Sequence, residues 1–383
     1  MSWFGIQQEN REEFMKIGID AHMLGDFSGG NESYYTNIIN HLDPPNNVEI
    51  ILFVNQINSL KSIKQNFKCV EFKSKSSLVR NFIELPYLCK KYKLDLLHTQ
   101  YFVPFIRPCK VVCTIHDICF EHYKNIFTKK DYLIQKTLIP YAARKSQTIF
   151  TVSNHAKQDI ISHYGVSEEN IVVTYNAVNE KFKELNEKEL GASELREKFN
   201  ITGNRVLLTV GNLQPRKNLP RLIRAFIELK KENNYEDVQL VIVGKKAWMY
   251  NDILIEASKN SDDIVLTDYV SEEDLVRLYN LADAFVYPSY FEGFGIPPLE
   301  ALACNTNVAV SNVSSLPEVV GDVGEYFNPF DEKDIEKCLK KILSREYKNY
   351  SDYENVERAK LFSWSNSAEK IMKIYQKIGK ESQ

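Results

Sequence analysis

The chain has 383 residues, 44% hydrophobic and 26% charged, with a formal net charge of −3. This length exceeds what one ordinary core organises and predicts two domains of roughly 180 residues each, while the composition excludes the disordered, fibrous and repeat classes. The slightly acidic balance also excludes a protein that coats nucleic acid.

Residues 1–14 are polar and aperiodic and are expected to form a loose N-terminal extension without a secretory h-region. Beyond them, short apolar runs alternate with longer amphipathic stretches, the pattern of a parallel α/β sheet. In residues 15–180, strands are predicted at 16–20, 48–54, 94–98, 110–116, 148–152 and 171–174. Helices are predicted at 31–42, 77–92, 129–144 and 154–164, the last capped by Ser153. The chain then turns charged and loses its strands, with Gly191 and Gly203 as breakers, so residues 181–203 read as a linker with a short helix.

The alternation restarts over residues 204–363. Strands are predicted at 205–210, 238–243, 264–267, 284–287 and 308–310, with helices at 219–231, 271–281, 299–303 and 332–343. Residues 364–383 are expected to form a C-terminal helix that packs back on the N-terminal domain through Trp364, Ile371, Ile374 and Tyr375. In open parallel sheets a ligand binds beyond the carboxyl ends of the strands, and two such edges facing each other enclose a cleft.

Charge and cysteine usage narrow the setting. Residues 61–93 carry nine basic and two acidic residues, a local basic surface able to meet phosphates or anionic lipid. Residues 120–146 carry six against two. Seven Cys without a C-x-x-C pair argue against a disulfide framework and for a reducing cytoplasm. Cys113, His116, Cys119 and His122 recur every third residue, but Cys113 lies in an apolar strand run, so the four would not converge on a metal. No stretch approaches the ~20 apolar residues of a membrane span.

Four segments carry the chemistry. Gly211-Asn212-Leu213-Gln214-Pro215-Arg216-Lys217-Asn218 joins a buried strand to a helix and places two adjacent cations where a diphosphate would sit. In Tyr290-Phe291-Glu292-Gly293-Phe294-Gly295-Ile296-Pro297-Pro298-Leu299-Glu300-Ala301, the glycines admit close backbone approach and the prolines start a helix whose amides favour an anion. Glu292 and Glu300 flank this loop and can border one ligand. His116-Asp117 closes an apolar strand, and Ser28-Gly29-Gly30-Asn31 lies between the first strand and its helix, as a phosphate-approach loop would. Asp262-Asp263 is adjacent rather than spaced and reads as a polar turn, not an Asp-x-Asp metal signature.

On these residues the chain resembles glycosyltransferase family 4, in particular its bacterial mannosyltransferase-like branch. The resemblance runs from Ile17-Gly18-Ile19-Asp20-Ala21 to the Trp364 helix. It is most specific in Glu292 to Glu300 with the following Ala301-Leu302-Ala303-Cys304, and extends to Leu281–Ser289, Ser315-Leu316-Pro317-Glu318-Val319 and Thr114-Ile115-His116-Asp117. It implies a GT-B fold, two Rossmann-like domains facing across a cleft. It also implies a retaining, metal-independent hexosyltransferase using a nucleotide sugar of the GDP-mannose or UDP-glucose type.

The resemblance further implies roles. Glu300 would hold the nucleotide ribose and Glu292 the sugar hydroxyls. Backbone at Phe294, Gly295, Ile296 and Leu299 would line the sugar and diphosphate. Arg216 and Lys217 would neutralise the diphosphate, and Gly29 and Gly30 would close on it. Val270 would meet the base, and His116 with Asp117 would lie near the transferred sugar. Two departures stand out: Asn212 follows the glycine where some members have Arg, and His22 follows Asp-Ala where relatives with a similar start usually have Arg.

Breaking a sugar–diphosphate bond builds charge on the departing phosphate, which Arg216, Lys217 and helix termini would stabilise with no metal and no cofactor. A carboxylate nucleophile at Glu292 is one route to retention; front-face attack, with the phosphate taking the acceptor's proton, is the favoured one. The acceptor is expected to be a glycan or lipid-linked saccharide of bacterial surface polysaccharide synthesis. The protein is then cytoplasmic, with peripheral contact at the inner membrane face through its basic N-terminal domain. The other readings are a GT-B epimerase and a sugar-nucleotide-binding protein without catalysis.

Overall fold

The structure is a computed structural model that describes residues 14–25, 29–245, 255, 257, 262–344 and 354–381. The expected loose extension falls, but for Phe14, outside the described residues, as does Ser28.

Two all-parallel sheets organise the chain. The first holds β1 (Met15–Asp20), β2 (Val48–Val54), β3 (Lys68–Glu71), β4 (Leu96–Gln100), β5 (Lys110–Thr114), β6 (Ile149–Thr151) and β7 (Ile171–Val173), ordered β3-β2-β1-β4-β5-β6-β7. The second holds β8 (Arg205–Val210), β9 (Val238–Val243), β10 (Ile264–Leu266), β11 (Ala284–Tyr287), β12 (Val308–Ser311) and β13 (Glu325–Phe327), ordered β10-β9-β8-β11-β12-β13. Each is a Rossmann-like layer with helices on both faces, which is why β4, β9, β11 and β12 are buried at every residue, the polar His98, Thr99 and Gln100 of β4 included.

In both sheets the strand order reverses beside the first strand: β1 lies between β2 and β4, and β8 between β9 and β11. Neighbouring crossovers leave in opposite directions at such a switch point and open a crevice at the strand ends. The four chemistry-bearing segments follow β1, β5, β8 and β11, so the topology carries them to these two crevices.

Beyond the crevices run α1 (Gly30–His41), the helical stretch α2 (residues 77–92), α3 (Lys129–Lys145) and α4 (Asn154–Tyr164) in the first domain. Ser153 caps α4 by accepting from the Ala156 amide. The second domain carries α5 (Leu219–Leu229), α6 (Glu272–Leu281), α7 (Ile296–Ala303) and α8 (Leu316–Val320). The last helix, α9 (Trp364–Lys380), returns to the first sheet: the Tyr375 hydroxyl meets Nδ1 of the buried His98 at 2.5 Å, and the Ser367 hydroxyl donates to the Tyr175 carbonyl.

Two features differ from the sequence expectation. β3 and β13 are extra strands at sheet edges; they are three or four residues long with two apolar residues each, too few to stand out as an apolar run. Residues 181–203 contain two helices, Glu187–Leu190 and Ala192–Phe199, held to α6 where Arg277 donates to the carbonyls of Leu190 and Gly191. Leu195 is the buried residue of the second helix, too little to give a visible periodicity. The basic stretch 61–93 passes through a 3-10 turn, β3 and α2. No helix among the described residues is long and apolar enough to cross a membrane.

Candidate active site

At the β8–β11 switch point the 3-10 turn Pro215–Lys217 faces the loop after β11. Buried Glu292 lies between the two cations of that turn: Lys217 Nζ is 2.8 Å from Oε1 and Arg216 Nη1 is 2.6 Å from Oε2. Burial alone would raise the Glu292 pKa, but the two cations outweigh it and hold the carboxyl well below its ordinary range. For Lys217, burial with Arg216 alongside outweighs Glu292 and lowers the ammonium pKa. Arg216 also donates to the Phe291 carbonyl, and Lys217 contacts the Tyr287 hydroxyl.

Two spaces adjoin this cluster. The larger, about 990 Å³, runs between the domains from Gly29 and α1 to Gly211, Val270, Ile296 and Glu300. Its size is that of a site for a nucleotide-sized ligand. The smaller, about 310 Å³, is walled by Phe102, Asp117, Ile126, Phe127 and Ile139 of the first domain and by Gln214 and Arg216 of the second. Gly211 lines the larger space and a Cβ there would meet Lys217 Cε at 3.1 Å, whereas Arg216 lines the smaller. The paired cations therefore sit between the two.

The other expected site residues divide. Gly29 and Gly30 open α1 and reach across the cleft towards Ile296. Glu300 accepts from Tyr279 at 2.8 Å, and burial pushes its pKa up to about 7. Asp117 lines the smaller space and accepts from the Cys119 amide; burial raises its pKa against the pull of Arg216. His116 lies one layer behind, lining neither space. It is buried between Tyr34 and Tyr101, meets the Gln100 side-chain amide at 2.8 Å, and is held neutral by burial, its pKa lowered to about 3.

Phe294 and Leu299 are core side chains, so only their backbone can approach a ligand. Pro297 and Pro298 have no amide hydrogen, which leaves the amides of Gly295 and Ile296 as the free donors of the α7 terminus. The two departure positions differ in their surroundings. Asn212 lines the cleft, and His22 Nδ1 lies 2.8 Å from the fully buried Asp20 carboxylate. Asp263 pairs with Lys230 in the turn before β10. Cys113 is core and His122 pairs with Asp159, so the four Cys and His residues at three-residue spacing do not converge.

Two residues that the sequence marked without a role in the site clamp the domains together at this end. Ser153, already the cap of α4, donates to the Gly293 carbonyl at 2.7 Å. Glu318 on α8 accepts from the amides of Asn154 and His155 and from the Tyr175 hydroxyl, a carboxylate on the N-terminus of a helix of the opposite domain. Gly293 is required by space: a Cβ would lie 3.0 Å from both the His116 carbonyl and an Asp117 oxygen. A cap residue and a first-turn glutamate were visible signals; their partners across the cleft were not.

Comparison with known proteins agrees with this architecture. Residues 28–182 match the family model described as Glycosyltransferase Family 4, and residues 192–360 match that described as Glycosyl transferases group 1. The chain is 30% identical over 290 residues to O-antigen chain mannosyltransferase B of Escherichia coli, covering 75% of each. It is 29% identical over 287 residues, 72% of this chain, to the serotype-specific mannosyltransferase WbdA of Escherichia coli; it spans about a third (34%) of that longer relative. The crystal structure of Anabaena HepE with UDP-glucose superposes with a TM-score of 0.75 over 95% of this chain and 100% of that one, at 16% identity.

The buried cluster sets a stability test. Glu292→Gln leaves buried Lys217 and partly buried Arg216 side by side without their counter-charge and is expected to cost about 3–5 kcal/mol. Replacing Arg216 and Lys217 by Met as well is expected to restore much of the loss. Urea unfolding midpoints of the single and triple variants measure both effects; a single variant as stable as the parent contradicts the pairing.

Proposed function

The chain belongs to glycosyltransferase family 4, and we propose that it is a retaining, metal-independent transferase that moves a hexose from a nucleotide sugar to a saccharide acceptor. The observation that carries this reading is the Arg216–Lys217–Glu292 cluster between a nucleotide-sized cleft and a smaller pocket. A nucleoside in the larger space would set its ribose on Glu300 and its base near Val270. Its diphosphate would then reach Lys217, Arg216 and the Gly295 and Ile296 amides, with Gly29 and Gly30 closing from the other domain. The sugar would enter between Glu292 and Asp117, with neutral His116 behind Asp117.

In the reaction the bond from the anomeric carbon to the phosphate oxygen breaks, and the acceptor oxygen forms the new one. Fixed cations and amides stabilise the charge growing on the phosphate. Both Glu292 oxygens are engaged by cations, which favours a sugar-holding role over that of a nucleophile and so supports front-face attack. The phosphate oxygen that loses the sugar takes the acceptor's proton. Because relatives include O-antigen mannosyltransferases, GDP-mannose is the donor we favour, with UDP-glucose next, and the acceptor is a glycan or lipid-linked saccharide of surface polysaccharide synthesis.

Thermal denaturation with millimolar GDP-mannose, UDP-glucose and ADP-glucose tests donor binding, because a ligand held only by the folded state raises its stability by mass action. One donor is expected to raise the midpoint by several degrees, and hydrolysis or transfer of its sugar separates an enzyme from a binding protein. Activity lost to chelator and restored by manganese would refute metal independence.

Lys217→Ala is expected to lower kcat/KM by an amount equivalent to about 2–4 kcal/mol. Unchanged turnover removes Lys217 from the diphosphate site.

Nucleotide affinity should also depend on pH through Glu300. With a pKa near 7, its carboxylate is ionised above that value and accepts two ribose hydroxyls; below it the protonated group loses acceptor capacity. Kd is therefore expected to rise as pH falls from 8 to 6, by up to about tenfold per unit below 7. Calorimetry on the parent and on Glu300→Gln, whose profile should be flat, reads this directly.

A further inference from the structure

The stretch α2 carries apolar side chains on both sides. Its inner face is core, with Leu85, Leu88 and Cys89 buried. Val79, Ile83 and Tyr87, four residues apart on the outer face, are 39%, 65% and 57% exposed. A helix of a water-surrounded domain ordinarily places charged residues there.

The exposed apolar surface continues beyond the helix. Phe82 stacks on Phe105 at 4.5 Å, and Phe105 meets Tyr141 of α3 at 5.1 Å. Ile106, next to Phe105, is 64% exposed, and Leu133, two helical turns before Tyr141 on the same face of α3, is 66% exposed. Six of the fourteen exposed large apolar side chains among the described residues lie on this one face. Contiguous apolar patches rimmed by polar groups mark interaction sites.

The rim is basic. Lys73, Lys75, Lys90, Lys91 and Lys93 are exposed around α2, and Lys129, Lys130 and Lys136 are exposed on α3. Glu84, the acidic residue of α2, is turned to the backbone amides of Lys73 and Ser74. Bulky apolar side chains ringed by lysines complement the acyl boundary and headgroups of an anionic bilayer, whereas a second copy would set lysine against lysine.

We propose that this face, centred on Ile83, Tyr87, Phe105 and Ile106, inserts into an anionic lipid bilayer and sets the small pocket at the membrane surface. The loop joining β4 to β5 links the two, since Phe102 lines the pocket while Phe105 and Ile106 lie in the patch; Ile139 of α3 lines the pocket as well. The acceptor that reaches Arg216 through this pocket is then a membrane-held, lipid-linked saccharide, an inference that rests on the transferase reading.

Co-sedimentation of the full chain with phosphatidylcholine vesicles, with and without 30% phosphatidylglycerol, tests the surface independently of turnover. Binding is expected to need the anionic lipid and to weaken from 0.1 to 0.5 M NaCl. Ile83→Glu with Ile106→Glu should reduce it at least tenfold while leaving the nucleotide-sugar thermal shift unchanged. Ile83→Trp keeps the face apolar and should show a blue-shifted emission on adding anionic vesicles. The proposal is overturned if the parent does not bind, if the double variant binds as well, or if the parent is a dimer that the double variant dissociates. Loss of the thermal shift in the parent would instead refute the transferase reading.

Discussion

Two neighbouring cations cannot be buried together without a counter-charge, and that constraint shapes the second domain's half of the site. Arg216 and Lys217 stay charged because Glu292 gives one oxygen to each. The cluster keeps one net positive charge, aimed at the gap between the domains, and its geometry is fixed before any ligand arrives. Preorganised charge of this kind does not have to reorient as a reaction proceeds. Its position follows from topology: β8 and β11 pair in parallel, so the turn after one and the loop after the other emerge side by side.

The domain junction obeys a second constraint, close approach of backbones. Gly293 lets the Glu292 loop press against the His116 carbonyl and Asp117, while Ser153 and Glu318 satisfy polar groups that this contact would otherwise strand. Glu318 resembles an ordinary first-turn residue of α8, compensating that helix's dipole. It instead spends its oxygens on the N-terminus of α4 in the other domain. That carboxylate ties α8 to the start of α4, as Ser153 ties the loop bearing Glu292 to the same place, and a movement of either domain must break both contacts.

How far the sequence carried the fold depended on burial. Central strands such as β8, β9 and β11, covered on both faces, are mainly apolar and fall where expected; edge strands β3 and β13 do not, because each offers two apolar residues where the edge strands β7 and β10 offer three. Helix starts with a side-chain cap, such as Ser153, were legible. Periodicity was least informative for α2, since its apolar residues occupy both faces and the pattern cannot say which is core.

Site residues were legible as types and not as pairs. Arg216 next to Lys217 signals an anion site, but nothing local shows that the residue neutralising them lies 75 positions further on. The same holds for Glu300, whose pKa burial raises against the hydrogen bond from Tyr279, and for His116, whose strand-end position implies access that its aromatic neighbours deny. A residue's chemistry is written in its side chain, but its protonation and reach are written by what packs around it. In a doubly wound sheet, those neighbours come from strands adjacent in space and remote in sequence. Partner identity is thus a property of strand order, and strand order is set by crossover connections that leave no mark at the residues they bring together.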